Sequence, residues 1–321
     1  MSKSKFLKRI LWILPALVSI MSSCACSSDE PGMEPENPGN NGGGSIVEPP
    51  SDTRSLSADL RAIAEGSDLK MLLCAHRANT FAGIRANVPE NSVAAIEKAA
   101  SEGIDMVELD PRATSDGVLV IMHNGSIDAT TNGKGSVSGM TYDNLYKYNL
   151  TVGGTVTPHK VPTLSEALDA AKDKIFVCLD IKDFNRLDDI VKMVVSKGMS
   201  DQVCYYSGSS TSYLDQILRI DKNAILMPWV SDPAKIAELK RFYTSLQTVQ
   251  FNYDASNIDA LTSAVNGAGL VGYANHLNHD TELIAGKFTT MQGFVAKRIP
   301  IVQSDYCDVI LPWLQNAGLR L

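Results

Sequence analysis

The sequence predicts an α/β protein, a TIM (β/α)8 barrel with a small insertion after the second strand and its hairpin. Three observations carry this. From residue 70 onward, short apolar β-branched runs alternate with helical stretches, the pattern of βα units and a parallel sheet. About 265 residues follow the N-terminal region, close to the ~250 that one such barrel needs. The strand runs reduce to eight once one surplus run is explained locally.

The runs are Met71–Ala75, Asp105–Asp110, Val118–His123, Ile175–Asp180, Val203–Tyr206, Ala224–Pro228, Thr248–Phe251, Leu270–Tyr273 and Ile299–Gln303. Helical stretches are expected at Asn91–Glu102, Ser165–Ala171, Leu187–Lys197, Thr211–Asp221, Pro233–Thr244, Asn257–Asn266 and Thr281–Ala296. Only a few residues, ending in Ser115-Asp116-Gly117, separate Asp110 from Val118. A parallel connection needs a dozen or more residues, and Asp-Gly is a strong hairpin signal. Val118–His123 is therefore expected to fold back antiparallel on the end of the second strand, which leaves eight. Residues 124–160, rich in Gly, Thr and Asn, fit neither a strand nor a regular helix and read as an insertion over one mouth of the barrel.

The N-terminal region has other signatures. Lys3, Lys5, Lys8 and Arg9 precede an apolar run, Ile10 to Met21, that is shorter than the ~20 residues of a bilayer span. Residues 1–23 are therefore expected to be a signal peptide. Ser22-Ser23-Cys24 resembles a bacterial lipobox, with Met21 a poorer fit than leucine, and on that reading Cys24 is lipidated. Residues 24–53 would then be the anchor and a disordered tether, since their Pro, Gly, Asn, Ser and acidic residues offer little apolar surface to offset ordering entropy. The expected setting is the bacterial cell envelope, with the protein exported and held to the outer membrane or cell surface by its lipid. The folded domain is 54–321.

The formal net charge is −7, with no basic block outside the extreme N-terminus. Phosphate backbones need clustered Lys and Arg, so nucleic acid is excluded as a partner. Cys74, Cys178 and Cys204 lie in apolar strand runs; these and Cys307 are expected as free thiols.

Barrel active sites form at the C-terminal ends of the strands. There the chain places His76 and Arg77, then Glu108 and Asp110, His123, Asp180 with Lys182, and finally Ser304-Asp305. Glu108 and Asp110 are two apart and face one way. Inward carboxylates repel unless a cation sits between them. A hard divalent ion, Mg²⁺ or Ca²⁺, does this, and Asp180 adds a third oxygen ligand. Arg77 and Lys182 suit a phosphoryl group, and His76 and His123 can donate and accept protons near neutral pH.

His76-Arg77, Pro89-Glu90-Asn91, Glu108-Leu109-Asp110, Asp116-Gly117 followed by His123, and Leu179-Asp180-Ile181-Lys182 match in order and spacing the fingerprint of the glycerophosphodiester phosphodiesterase family. The chain resembles that family strongly over about 72–185 and more weakly over about 70–310, where Gln303-Ser304-Asp305-Tyr306 is similar to the closing Thr-Asp-x-Pro segment. The resemblance implies a TIM barrel whose insertion follows the second catalytic histidine. It implies Ca²⁺ or Mg²⁺ on Glu108, Asp110 and Asp180, an acid–base pair in His76 and His123, and phosphate on Arg77 and Lys182. It places Glu90 at the edge of the active site, where a helix N-terminal acid is the other reading.

Four departures stand out. Ala78 replaces the usual glycine after His-Arg, Asn124 the usual Asp after His123, and Asp180 the usual Glu. The late Trp-Thr segment is lacking, and Tyr273-Ala274-Asn275-His276 stands near there. Trp229, ending strand five, is a candidate aromatic wall for the alcohol side or, equally, a core side chain. The expected activity is metal-dependent hydrolysis of a small-molecule glycerophosphodiester to an alcohol and glycerol phosphate. Alternatives are a phospholipase acting on intact lipid or inositol phosphodiesters, and a non-catalytic surface binding protein for phosphodiesters.

Overall fold

The computed structural model describes residues 54–321. The expected signal peptide, Cys24 and the tether lie outside the described residues.

Strands are β1 (Leu72–Ala75), β2 (Met106–Leu109), β3 (Pro111–Ala113), β4 (Leu119–Ile121), β5 (Thr151–Val152), β6 (Thr155–Val156), β7 (Phe176–Asp180), β8 (Val203–Tyr206), β9 (Ile225–Met227), β10 (Thr248–Phe251), β11 (Val271–Asn275) and β12 (Ile301–Ser304). Helices are α1 (Leu56–Glu65), α2 (Phe81–Arg85), α3 (Val93–Ser101), α4 (Tyr142–Leu145), α5 (Leu164–Ala171), α6 (Leu187–Ser196), α7 (Thr211–Ile220), α8 (Pro233–Phe242), α9 (Ile258–Gly267), α10 (Asp280–Ile284), α11 (Thr289–Ala296) and α12 (Cys307–Asn316).

Eight strands form one parallel sheet in the order β10-β11-β12-β1-β2-β7-β8-β9. Between β9 and β10 the ladder narrows to one bridge, Trp229 with Gln250. Two hydrogen bonds accompany it: Val230 N donates to Gln250 O (2.8 Å) and Gln250 N to Pro228 O (3.0 Å). This seam brings the two ends of the sheet together into the expected barrel.

The pleat sorts side chains to two sides. Leu73, Val107, Val177 and Val249 face outward into a core shared with the helices. Leu72, Cys74, Met106, Phe176, Cys178, Cys204, Ile225, Val271, Tyr273 and Ile301 fill the interior, and Leu56, Leu60 and Ile63 of α1 pack onto them. The cysteines Cys74, Cys178, Cys204 and Cys307 are buried free thiols, as expected.

The hairpin is present: β3 and β4 pair antiparallel, Pro111 opposite Ile121, with Gly117 at φ +82° in the turn. Two expectations need correction. Residues 124–160 are not devoid of regular structure. They contain α4 and the ribbon β5–β6, turned by Gly153 and Gly154 at φ +56° and +89°. Such a turn needs positive φ at both central positions, which the Gly-Gly pair supplies. The single helix expected at Thr281–Ala296 is two, α10 and α11. Gly286 breaks it at φ +68°, and Glu282 Oε1 accepts from the Thr290 amide across the gap (2.7 Å).

Among the described residues, no helix is long and apolar enough to cross a membrane.

Candidate active site

The C-terminal ends of β2 and β7 bring the expected acids together. One oxygen from each of Glu108, Asp110 and Asp180 lies within 4.8 Å of the others. Glu108 and Asp110 are buried at 3% and 0% exposure. Burial, then the nearby Asp110 and Asp180, push the Glu108 carboxyl well above its ordinary range. Asp180 is raised too, chiefly by burial. Burial pushes Asp110 the same way, yet Lys182, the Asn91 amide, His123 and Arg77 outweigh it and hold the group below the usual value. Lys182 Nζ stands 2.5 Å from Asp180 Oδ2 and 3.1 Å from Asp110 Oδ1. The second approach is an ion pair without hydrogen-bond alignment, so this buried Asp110 oxygen lacks a hydrogen-bond partner. Three converging carboxylates, one with an unpartnered oxygen, are a donor set suited to a hard divalent cation.

The rim backbone is specialised. Arg77 and Ala78 both take left-handed conformations, φ +54° and +58°. There a residue with a Cβ is strained and glycine is not, which explains why Gly usually follows His-Arg. The turn aims the Arg77 amide at Glu108 Oε2 (2.9 Å). The Pro89-Glu90-Asn91 segment braces it. Asn91 N donates to Arg77 O (2.8 Å), Arg77 Nη1 pairs with Glu90 Oε1 (2.9 Å), and Asn91 Nδ2 donates to Asp110 Oδ2 (2.7 Å). Glu90 thus stands at the edge of the site, holding Arg77.

Each histidine is anchored through Nδ1. His76 Nδ1 lies 2.9 Å from Asp305 Oδ1, and His123 Nδ1 lies 2.8 Å from Asn124 Oδ1. Carboxylate and amide oxygens only accept, so each Nδ1 carries the proton and Nε2 remains for chemistry. Burial, together with the Arg77 and Lys182 charges, lowers the His123 pKa, against the opposing pull of Asn124 and Asp110. Asp305 is held low although burial opposes this, because His76, Arg77 and Asn79 favour its charge. Arg112, next to the hairpin's start, fixes the end of the second arm. Its Nε donates to the Met122 and His123 carbonyls (3.0 Å each) and its Nη2 to His123 O (2.6 Å).

His76, Glu108, His123 and Asp180 line one cavity of about 200 Å³ with Cys178, Tyr206, Gln250, Tyr273, Asn275, Leu277 and Gln303. Sequence reasoning gave no role to Tyr206, Gln250 or Gln303. Tyr206 closes its strand run and Gln303 stands beside the rim pair Ser304-Asp305, so the strand-end rule could have found both. Trp229, the candidate aromatic wall, is not among these lining residues and instead carries the barrel seam. A larger hollow of about 740 Å³ lies beside α1, lined by Arg61, Glu65, Lys222 and Lys240 among others, and includes none of the rim groups.

The fold and the rim define a class: an α/β barrel presenting a carboxylate triad and two histidines at the C-terminal ends of its strands. The Glycerophosphoryl diester phosphodiesterase family matches residues 82–282, and the chain belongs to that family. A glycerophosphodiester phosphodiesterase from Caldanaerobacter subterraneus is 38% identical over 117 residues, 36% of this chain and 46% of that protein. Glycerophosphodiester phosphodiesterase 1 of Homo sapiens is 36% identical over 101 residues, 30% of each. The chain thus spans less than half the length of these curated relatives. A glycerophosphoryl diester phosphodiesterase from Parabacteroides distasonis superposes at TM-score 0.69 with 21% identity, over 81% of this chain and 92% of that one. An Oleispira antarctica phosphodiesterase in complex with the product sn-glycerol-3-phosphate superposes at 0.61 with 18% identity, over 77% and 97%.

Proposed function

We propose that the chain hydrolyses small glycerophosphodiesters to an alcohol and glycerol phosphate, assisted by Mg²⁺ or Ca²⁺ on Glu108, Asp110 and Asp180. The observation that carries this is the convergence of three carboxylates, two of which, Glu108 and Asp180, line one cavity with His76 and His123. The chemistry such a cation supplies is charge neutralisation at the phosphoryl oxygens. Arg77 and Lys182 add fixed positive charge beside the same acids and orient the phosphoryl group. One histidine takes the proton of the attacking oxygen at Nε2, and the other delivers a proton to the leaving alcohol. Either water attacks directly, or the neighbouring glycerol hydroxyl attacks first and gives a cyclic phosphate that water then opens to glycerol phosphate. The cavity of about 200 Å³ suits a small headgroup more than a lipid with its acyl chains.

The test is turnover of a panel of glycerophosphodiesters with and without EDTA. Activity that is lost with EDTA and restored by Mg²⁺ or Ca²⁺ is the expected outcome; full activity in EDTA overturns the metal's part. His76→Ala and His123→Ala should each lose at least ~10²-fold in kcat, as removal of one acid–base group does. Near-normal turnover by either variant refutes the paired role.

Export and lipidation at Cys24 belong to the same proposal and rest on the N-terminal sequence. Cys24→Ser should leave the protein unprocessed or move it from membrane to soluble fractions. Continued palmitate labelling of that variant counts against the anchor.

A further inference from the structure

Behind the rim lies a buried polar chain that the chemistry above does not use. Asp280, the first residue of α10, is 6% exposed, and His276 and Ser304 are fully buried. A buried carboxylate is costly unless donors satisfy it. Asp280 has three. Its Oδ1 takes the Ser304 hydroxyl (2.6 Å) and His276 Nδ1 (2.8 Å), and its Oδ2 takes the Asp305 amide (2.9 Å). The same segment is tied twice more: His276 N donates to Gln303 O (2.7 Å), and Tyr306 N to Ser304 Oγ (2.9 Å). All of these bonds but the one between His276 and Asp280 hold the chain at the end of β12. Asp305, whose carboxylate holds His76 Nδ1, is the residue so fixed.

We propose that Asp280, supported by His276 and Ser304, is a positioning residue for His76. It sets the Ser304-Asp305 main chain, Asp305 sets the His76 ring and keeps the proton on Nδ1, and the ring presents Nε2 to the substrate. Asp280 touches no reacting atom. Its influence travels through one peptide unit and one carboxylate, and small displacements of a reacting group are costly in rate. The orienting partner of a histidine also fixes its tautomer.

This inference rests on the phosphodiesterase reading. The test uses the folded chain with Mg²⁺ or Ca²⁺ added and glycerophosphoglycerol as substrate, with the His76 ring nitrogens followed by ¹⁵N NMR. Asp280→Asn keeps the shape but offers a single acceptor oxygen where the carboxylate serves three donors. It should lower kcat about tenfold, leave KM within twofold and move the His76 nitrogen signals away from the Nδ1-protonated pattern. Asp280→Glu should restore neither, because the longer side chain misplaces both oxygens. A folded Asp280→Asn protein with wild-type kcat and unchanged His76 signals overturns the proposal. So does a loss of kcat with unchanged signals, which marks a merely structural role. If Asp280→Asn does not fold, Ser304→Ala, which removes one donor, is read in the same way with smaller shifts in both measurements. An inactive wild type counts against the phosphodiesterase reading alone, because the NMR readout still decides this one.

Discussion

Glu108 shows how a single side chain can oppose the fold while equipping the site. Ionised, it is buried against two other carboxylates. Glu108→Gln keeps an oxygen to accept the Arg77 amide and removes the charge. The variant without metal should therefore melt no lower than wild type without metal, while calorimetric binding of Mg²⁺ or Ca²⁺ weakens strongly. Asp305 runs the other way. Its folded pKa lies below the ordinary value near 3.9, so its contribution to stability is present above about pH 4 and is lost as pH falls through the folded value. Asp305→Asn should flatten the acid limb of thermal stability relative to wild type below about pH 4. The effect is modest, because the side chain is 36% exposed. The rim residues were legible in the sequence because strand ends collect polar groups that the core does not tolerate. Their mutual bracing was not. That Asn91 would donate to Asp110, or that Arg112 would hold the His123 carbonyl, depends on turns whose backbone angles no spacing rule gives.

Among elements, the strands were read well because β-branched runs carry their own signal, and Val203–Tyr206 and Thr248–Phe251 coincide with the structure to the residue. The missed strands are the short β3, β5 and β6, and the missed helices are α1, α2, α4 and α12. For α1 the signal was present: Leu56, Leu60 and Ile63 recur at helical spacing, with Ser55 capping the Ala58 amide (3.0 Å). The sequence shows no strand run ahead of it, so a βα pattern does not call for it. For α12, Pro312 inside the helix argues against helix continuation. The helix tolerates it, with Cys307, Ile310 and Leu314 still buried. α1 closes the end of the barrel interior opposite the chemistry, and Leu60 is 1% exposed. Leu60→Ala should cost about 2–5 kcal/mol, measurable as a lower denaturant midpoint. Because α1 lies far from the rim, kcat should be unchanged under conditions where the variant is folded.

At the scale of the whole molecule, eight strands were legible because the surplus run could be assigned to a hairpin by the length of its connection. The cavity wall away from the carboxylates was much less so. Tyr206, Gln250, Asn275 and Gln303 come from four different strands, and a sequence does not say which of a strand's polar residues turns inward near the mouth. The ring they line is unevenly fastened. Cys178 and its neighbours in β7 pair with β8 over four positions, whereas the β9–β10 seam has one bridge. If the barrel breathes, it does so there, as a hoop opens at its clasp. Amide hydrogens of Val230 and Gln250 should then exchange with deuterated solvent faster than those of Leu179 or Tyr205. Gln250 also faces the cavity, so the same fluctuation would widen the cavity on that side and let in molecules bulkier than the closed ring accepts.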